Sequence, residues 1–189
     1  MVEVLQAWLG EPVRAEILRV EEFATALPEA VEVRWPGGVR ALYNATFRCP
    51  AGADGLHSYS VELRPDVCVV VPEGPAPGLF VLDAKFARDS GRDSAKTEDL
   101  HKMHVYRDAL RLRRDDGTAW RVRSAWAIFP GEEARVREWP AEDDMPTIAG
   151  VGTIALRPTA EPVGARRTAL ATVLRAMLGR DSAGATGVG

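Results

Sequence analysis

The sequence predicts a single α/β domain, and three observations lead to this class. Its 189 residues, 46% hydrophobic and 27% charged, are enough for one folded domain with a buried core. Period-two alternation with β-branched residues predicts strands through the middle of the chain. Apolar residues at helical spacing predict helices before, between and after those strands. We expect one domain over residues 1–180 and a disordered tail over 181–189.

Four segments have the apolar spacing of helices. Pro12 suits the first position of the second segment, and Thr97 is placed to cap the third. The third segment also has acidic residues in its first turn and arginines in its last, charges that stabilise a helix by interacting with its dipole. An apolar stripe in the fourth ends at Gly179. The predicted helices cover residues 1–9, 12–27, 97–114 and 165–178.

Eight segments have the alternation or the apolar, β-branched character of strands. The first three predict an antiparallel meander with a turn at Gly37 and Gly38. The fourth and fifth predict a hairpin, because the segment "PEGPAPG" between them can only form a loop. The predicted strands cover residues 31–35, 39–49, 56–63, 66–71, 79–86, 124–130, 134–140 and 151–158.

Composition excludes several classes of protein. A net charge of −3 and a pI near 5.7 argue against nucleic-acid binding by bulk positive charge. No apolar run reaches the roughly 18 residues of a membrane span, and the start lacks the basic residues of a signal peptide, so we predict a cytoplasmic protein. Cys49 and Cys68 lack zinc-ligand spacing and are predicted to be small core residues.

The lysines are confined to one short stretch. Of 24 basic residues only three are lysines, namely Lys85, Lys96 and Lys102. One explanation is a bias toward arginine codons with chance clustering. The other is that the site needs an ammonium, a compact charge whose pKa responds to its surroundings, where a guanidinium would not serve.

Charged residues stand at the ends of the predicted hairpin strands. With Val71 opposite Leu79, Asp66 falls opposite Ala84, and a slip of one residue places it opposite Asp83 or Lys85. Asp83 and Lys85 share one face of their strand because side chains alternate. Two carboxylates that lie so close repel each other unless a cation or a proton sits between them.

A divalent metal would resolve this repulsion. Mg²⁺ takes oxygen ligands, commonly one or two carboxylates with several waters, so Asp66, Asp83 and the carbonyl of Ala84 are suitable. Lys85 would then lie beside the metal-bound water, where it could orient that water and neutralise charge on a phosphate. The alternative is an ordinary surface ion pair between Asp83 and Lys85, because an Asp-x-Lys pattern is common.

Three stretches together resemble a known family. They are "RPD" with "LDAK" at 64–66 and 82–85, "DLHKMHVYRDA" at 99–109 and "GTIALRP" at 152–158. In this combination the chain resembles the PD-(D/E)xK nuclease superfamily. More specifically, it is similar to the McrC-like branch, the nuclease subunits of modification-dependent restriction and related defence systems.

The resemblance implies a restriction-endonuclease-like fold, a central mixed β-sheet flanked by α-helices. It implies Mg²⁺-dependent hydrolysis of DNA, with Mn²⁺ able to substitute, and it makes Asp66 and Asp83 metal ligands and Lys85 the catalytic lysine. Glu3, in "VEVLQAW", matches the acidic position of the family's first helix and is a further candidate ligand. McrC-like nucleases usually work with an NTP-driven partner, and no GxxxxGK[ST] segment occurs here, so such a motor would be a separate protein.

Helix residues that match the family pattern are candidates for contacts with the substrate. Lys102 and Tyr106 lie four apart and are expected on one face toward the site, with Lys102 on phosphate or water. The alternative is that Lys102 is a snorkelling surface lysine and Tyr106 is an ordinary core residue, with neither directed at the site. Tyr106, Arg107 and Arg111 are candidate DNA phosphate contacts, and a plain solvated helix face is the alternative for the arginines.

The sequence thus predicts a metal-dependent DNA endonuclease, the cleavage module of a restriction or phage-defence system, with DNA and a target-recognising protein as partners. Two alternatives stay open. One is a nuclease fold without catalysis that serves as a scaffold or DNA-binding subunit. The other is a phosphodiesterase that acts on RNA, because metal and lysine act on the phosphate and do not read the sugar.

Overall fold

The structure of the chain is a computed structural model. It describes residues 12–19, 30–52, 54–74, 77–85, 94–131, 135–140, 150–156 and 163–178. The predicted first helix over residues 1–9, the candidate ligand Glu3 and the predicted tail over 181–189 lie outside the described residues.

The described residues form ten strands, two α-helices and one short 3₁₀ turn. Neither α-helix is long and apolar enough to cross a membrane. The strands are β1 Arg14–Arg19, β2 Ala30–Arg34, β3 Arg40–Tyr43, β4 Leu56–Ser58, β5 Val67–Val71, β6 Gly78–Ala84, β7 Leu110–Arg113, β8 Ala119–Phe129, β9 Arg135–Pro140 and β10 Gly150–Ala155. The helices are α1 Thr97–Ala109 and α2 Val163–Leu178, and the 3₁₀ turn is Pro36–Gly38.

The strands form one mixed sheet with the order β1-β2-β3-β5-β6-β8-β10-β9. Pairing is parallel between β6 and β8 and between β8 and β10, and antiparallel elsewhere along this path. The two remaining strands extend the sheet at the start of β8, where β7 pairs with β8 and β4 pairs with β7. Because β6 and β8 are parallel, α1 between them is a crossover that must cover one face of the sheet.

The two helices lie on opposite faces of this sheet. Met103 and Tyr106 of α1 belong to one buried cluster, while Val173 and Leu174 of α2 belong to the other. The central strands feed both clusters because their side chains alternate: in β5, Cys68 and Val70 join α1, and Val69 and Val71 join α2. The predicted α/β fold, a central mixed sheet flanked by helices, is confirmed.

The predicted helix over residues 12–27 is wrong in its described part. Residues Arg14–Arg19 form strand β1, which pairs antiparallel with β2. The segment fits both periods, since Val13, Ala15 and Ile17 also alternate with polar residues. Hydrogen bonds to β2 pair the backbone groups on that side of β1 along its length. These tertiary hydrogen bonds favour the strand over the helix, because the two local patterns are of similar strength.

The predicted helix over residues 97–114 is too long. Helix α1 ends at Ala109 and the chain continues directly as β7, with Leu110 already extended at φ −81° and ψ 138°. Leu110 and Leu112 are buried, so alternation and not helical spacing describes this stretch. Thr97 is the first helical residue and does not cap, because the N-cap is Lys96.

The predicted meander is also only partly right. β2 and β3 pair antiparallel as expected, but β4 leaves the main path and pairs with β7. Strand length and composition cannot choose between partners that are far apart in sequence.

The two cysteines have different environments. Cys68 is buried as expected, and burial raises the pKa of its thiol to about 12. Cys49 is exposed and is therefore not a core residue.

A glycine allows the two parallel strands β8 and β10 to pack a tryptophan between the sheet and α2. Gly152 pairs with Trp126, whose indole N–H donates to the Ser124 hydroxyl at 2.9 Å. A Cβ at Gly152 would lie 2.2 Å from the Trp126 ring, which is fully buried. The ring therefore occupies the space that a side chain at position 152 would need.

Gly152→Ala is expected to lower the free energy of unfolding by about 3 kcal/mol, near the upper end of the cost of overpacking a core. The measurement is urea denaturation followed by circular dichroism. Gly37→Ala is the matched control: it has no atom within 4 Å of the new Cβ and a φ of +78°, so only the backbone cost of about 1 kcal/mol applies. Equal losses in the two variants would contradict the steric explanation.

Candidate active site

The register of the β5–β6 hairpin brings two aspartates level with each other. Val67 pairs with Leu82 and Val71 with Gly78, one residue away from the register that sets Val71 against Leu79. Pairing starts a residue earlier because Gly78 joins β6 with a φ of +149°, which a glycine adopts without strain. Continuing the ladder places Asp66 opposite Asp83, one of the two slipped registers that the sequence left open.

Backbone hydrogen bonds fix both carboxylates at the end of the hairpin. The Asp66 N–H donates to Asp83 Oδ1 at 3.3 Å, and the Ala84 N–H donates to Asp66 Oδ2 at 2.6 Å. Each carboxylate thus accepts a bond from the backbone of the other strand. The two acids are therefore held by the same pairing that forms the sheet, with no flexible loop between them.

Asp83 is buried on the face of the sheet that α1 covers. Its residue is 1% exposed, and the next residue on the same face of the chain, Lys85, donates to Asp83 Oδ2. The Lys85 ammonium also lies 3.8 Å from Asp99 Oδ1 in the first turn of α1. A buried carboxylate is costly unless it is paired, and Lys85 supplies the first of its partners.

Helix α1 supplies two more partners of Asp83. The Lys102 ammonium lies 3.4 Å from Asp83 Oδ2 and 5.1 Å from the centre of the Tyr106 ring. The Tyr106 hydroxyl is 3.3 Å from Asp83 Oδ1 and 3.2 Å from the carbonyl oxygen of Arg64. Asp83 is thus surrounded by two ammonium groups and one phenol, contributed by β6 and by two successive turns of one helix face.

The surroundings keep these partners in their protonated forms. Burial lowers the pKa of Lys85, but the hydrogen bond and the negative charge of Asp83 outweigh it, so the pKa is raised overall. Burial and then the charge of Asp83 raise the pKa of Tyr106. Lys85 therefore stays an ammonium at neutral pH, and Tyr106 stays a hydrogen-bond donor.

The donor set fits a hard divalent cation. Asp66 and Asp83 are two carboxylates on adjacent strands, which is within the usual protein contribution to an Mg²⁺ site that keeps several waters. Within the described ranges, no group of three or more His, Cys, Asp or Glu side chains could hold a metal ion. Asp66 and Asp83 would hold the cation, and Lys85 and Lys102 already contact Asp83 Oδ2.

The remaining candidates are placed differently. Ala84 ends β6, and its N–H binds Asp66, while the role of its carbonyl stays a prediction. Tyr106 is 1% exposed and its hydroxyl contacts Asp83 Oδ1, while a contact with a DNA phosphate stays a prediction. Arg107 lies in the last turn of α1, half-buried. Arg111 was predicted on the same helix face but lies on β7, because α1 has already ended.

Sequence reasoning missed Asp99 as a neighbour of the site. It was seen as an acidic residue in the first turn of a helix and as the first residue of the matched stretch "DLHKMHVYRDA", but no role was assigned to it. Its spacing to Lys102 and Tyr106, three and then four residues, places all three on one helix face and could have indicated the role. The carbonyl of Arg64 could not be found in this way, since its contact with Tyr106 joins residues 42 positions apart.

Comparison with known proteins agrees with this geometry. The model of a family described as PD-(D/E)XK nuclease superfamily matches residues 31–134, just over half of the 189-residue chain. The matched range includes Asp66, Asp83, Lys85 and Lys102. No curated protein and no solved structure matches the chain significantly. Nucleases of this superfamily generally use divalent metal ions. The chain belongs to the PD-(D/E)XK nuclease superfamily.

Proposed function

We propose that this chain is a divalent-metal-dependent endonuclease that hydrolyses phosphodiester bonds in DNA, with Mg²⁺ as the ion and Mn²⁺ able to substitute. The observation that carries the proposal is the convergence of Asp66, Asp83 and Lys85 at the end of the β5–β6 hairpin, on the face covered by α1. Two carboxylates and an ammonium at one strand end are the groups that metal-assisted phosphodiester hydrolysis requires.

Each residue has a proposed role in that reaction. Asp66 and Asp83 hold the ion, which when bound would activate a water and draw charge from the phosphate. The Lys85 ammonium stays charged beside Asp83 and stabilises negative charge that develops on the phosphate. Lys102 has a side chain 45% exposed and an ammonium 5.1 Å from the centre of the Tyr106 ring, so we assign it a contact with a substrate phosphate.

The biological setting is a finer part of the proposal. We place the chain in the McrC-like branch, as the cleavage module of a restriction or phage-defence system. Two of the three stretches that carry the resemblance form α1, beside the site, and β10, next to β8. The net charge of −3 predicts weak unaided binding to DNA, which supports a protein partner for target recognition, with an NTPase as the expected kind. The domain is proposed to extend over residues 1–180.

A specific observation also favours a second function, a nuclease fold without catalysis that serves as a scaffold or DNA-binding subunit. The charge of Asp83 is already balanced by Lys85 and Lys102, so this buried carboxylate does not need a metal ion as a partner. In that case the buried ion pairs would serve the packing of α1 on the sheet. Metal binding and cleavage separate the two functions.

Removal of either central charge is expected to slow cleavage strongly. Asp83→Asn or Lys85→Gln should slow cleavage of plasmid DNA in Mg²⁺ or Mn²⁺ by about 10²- to 10³-fold. The first removes a charged ligand of the metal ion, and the second removes the ammonium that stabilises negative charge on the phosphate. Gel electrophoresis of the plasmid over time gives the rate, with the chain assayed together with any protein that co-purifies with it. Asp116→Asn and Lys96→Gln, both at exposed positions, are the matched controls and should cleave as the parent does.

Cleavage that survives both Asp83→Asn and Lys85→Gln would refute the assignment of the site. Folded protein and partner that never cleave DNA, with either ion, would favour the scaffold.

Metal binding is expected to depend on Asp66. Calorimetric titration of the parent with Mn²⁺ should show binding at millimolar concentration or below. Asp66→Asn should weaken Mn²⁺ binding at least tenfold, because a neutral amide replaces one of two charged ligands. Loss of a residue that only hydrogen-bonds to a metal ligand already lowers metal affinity about 10- to 100-fold. Absence of binding in the parent, or equal affinity in both proteins, would count against a metal centre.

Tyr106 is expected to act on Asp83 and not on the substrate. Tyr106→Phe removes the hydroxyl that contacts Asp83 Oδ1, and the metal concentration for half-maximal cleavage should rise about tenfold, the usual cost of losing a hydrogen bond to a ligand. Tyr43→Phe, on β3 within the α2-side cluster, is the control. An unchanged metal dependence with a raised KM for DNA would instead indicate a direct substrate contact.

A further inference from the structure

Four basic side chains form one row across the small sheet of β4, β7 and β8. Residues that pair directly across strands point to the same face of a sheet. Here Arg48 bridges to His57, His57 pairs with Arg111, and Arg111 pairs with Arg121. We call these four residues the basic row. At a strand spacing of about 4.8 Å, the row spans about 14 Å.

The basic row lies on the outer face of this sheet. The neighbours along the strands, Leu56, Leu110 and Leu112, are buried in the cluster on the α1 side. Because side chains alternate, the row faces away from that cluster, and its members are half-buried to exposed. The four residues of the basic row therefore lie on one surface, although the net charge of the chain is −3.

The row is not neutralised along its length. Like charges directly opposite on neighbouring strands destabilise a sheet. Asp54 lies 3.7 Å from Arg48 at one end, and Asp108 lies near Arg111. In the described part of the chain, Arg121 has no ion pair and the buried His57 Nδ1 has no hydrogen-bond partner. Burial and the neighbouring Arg121 lower the pKa of Arg111, which reflects this repulsion.

An exposed aromatic ring accompanies the row. Tyr59 is 56% exposed, its ring centre is 5.8 Å from the Arg111 guanidinium, and its hydroxyl is bonded to Asp108 in α1. Guanidinium groups that contact phosphates beside an aromatic ring that stacks on bases are the usual combination in proteins that bind nucleic-acid strands. An acidic protein partner would form ion pairs with the basic row, but it would not require an exposed aromatic ring such as that of Tyr59.

We propose that the basic row and Tyr59 form a second contact for the nucleic-acid substrate, which grips the phosphate backbone at a distance from the cleavage site. The inference rests on the proposed function, because it takes the substrate of that site as the ligand. Helix α1 links the two places: from Lys102 to Ala109 and on to Arg111 the chain covers at most about 17 Å, the length of roughly five base pairs.

The test is fluorescence anisotropy of the full chain with labelled oligonucleotides, duplex and single-stranded, in EDTA so that no metal-dependent cleavage occurs. Arg111→Gln/Arg121→Gln should raise Kd roughly tenfold at 0.1 M salt. The slope of log Kobs against log salt should fall in magnitude by about 1.8 for duplex or about 1.4 for single strands. Tyr59→Ala should weaken binding of the single strand more than that of the duplex.

The matched control is Arg175→Gln, an exposed arginine on α2 outside the basic row, compared with Arg121→Gln alone. Arg121→Gln should lower the salt slope and Arg175→Gln should leave it unchanged. Circular dichroism and urea denaturation of each variant check that it is folded. Equal affinity and equal salt slope in parent and double variant would overturn the proposal.

A parallel titration with polyglutamate tests the other possible ligand of the basic row, an acidic protein. If the parent binds polyglutamate but no oligonucleotide, and the double variant loses that binding, the row serves an acidic protein and the proposal is wrong. A parent that binds neither ligand also overturns it. These outcomes are separate from the proposed nuclease activity, which is decided by metal-dependent cleavage and its loss in Asp83→Asn.

Discussion

The buried carboxylate of Asp83 is the constraint on which the site and the packing around it depend. An isolated charge inside a protein costs several kcal/mol, so its presence requires partners from every side. Those partners come from β5, β6 and α1: the Asp66 backbone, the Lys85 ammonium, and Lys102 with Tyr106. The acid can therefore be buried only when the hairpin is in register and α1 is docked, so that folding and assembly of the site are one event.

The topology of the sheet makes this docking precise. β6 and β8 are parallel neighbours, and the connection between them contains α1, which must lie across the face that carries Asp83. Met103 fixes the helix in the apolar cluster, while Lys102 and Tyr106, on either side of it in sequence, turn toward the strand end. Apolar burial thus supplies the stability, and polar residues of the same helix contact the carboxylate at the centre of the proposed site.

The confinement of the lysines has a structural explanation in two of three cases. Lys85 and Lys102 both contact Asp83 Oδ2, where a compact ammonium fits beside a single carboxylate oxygen. Lys96 is exposed at the start of α1, and no ion pair among the described residues joins it to Asp83. Arg111 and Arg121 of the basic row lie on strands, where a broad guanidinium can lie across neighbouring side chains.

Sequence patterns were enough to predict the fold class, most strands, both described helices in outline, and the shared face of Asp83 and Lys85, because spacing along one element is fixed by its own period. They could not predict the register that sets Asp66 against Asp83, the strand β1, or the end of α1 at Ala109. Each of these depends on a partner distant in sequence. A one-residue change of pairing alters every contact across the strands but leaves each local pattern the same.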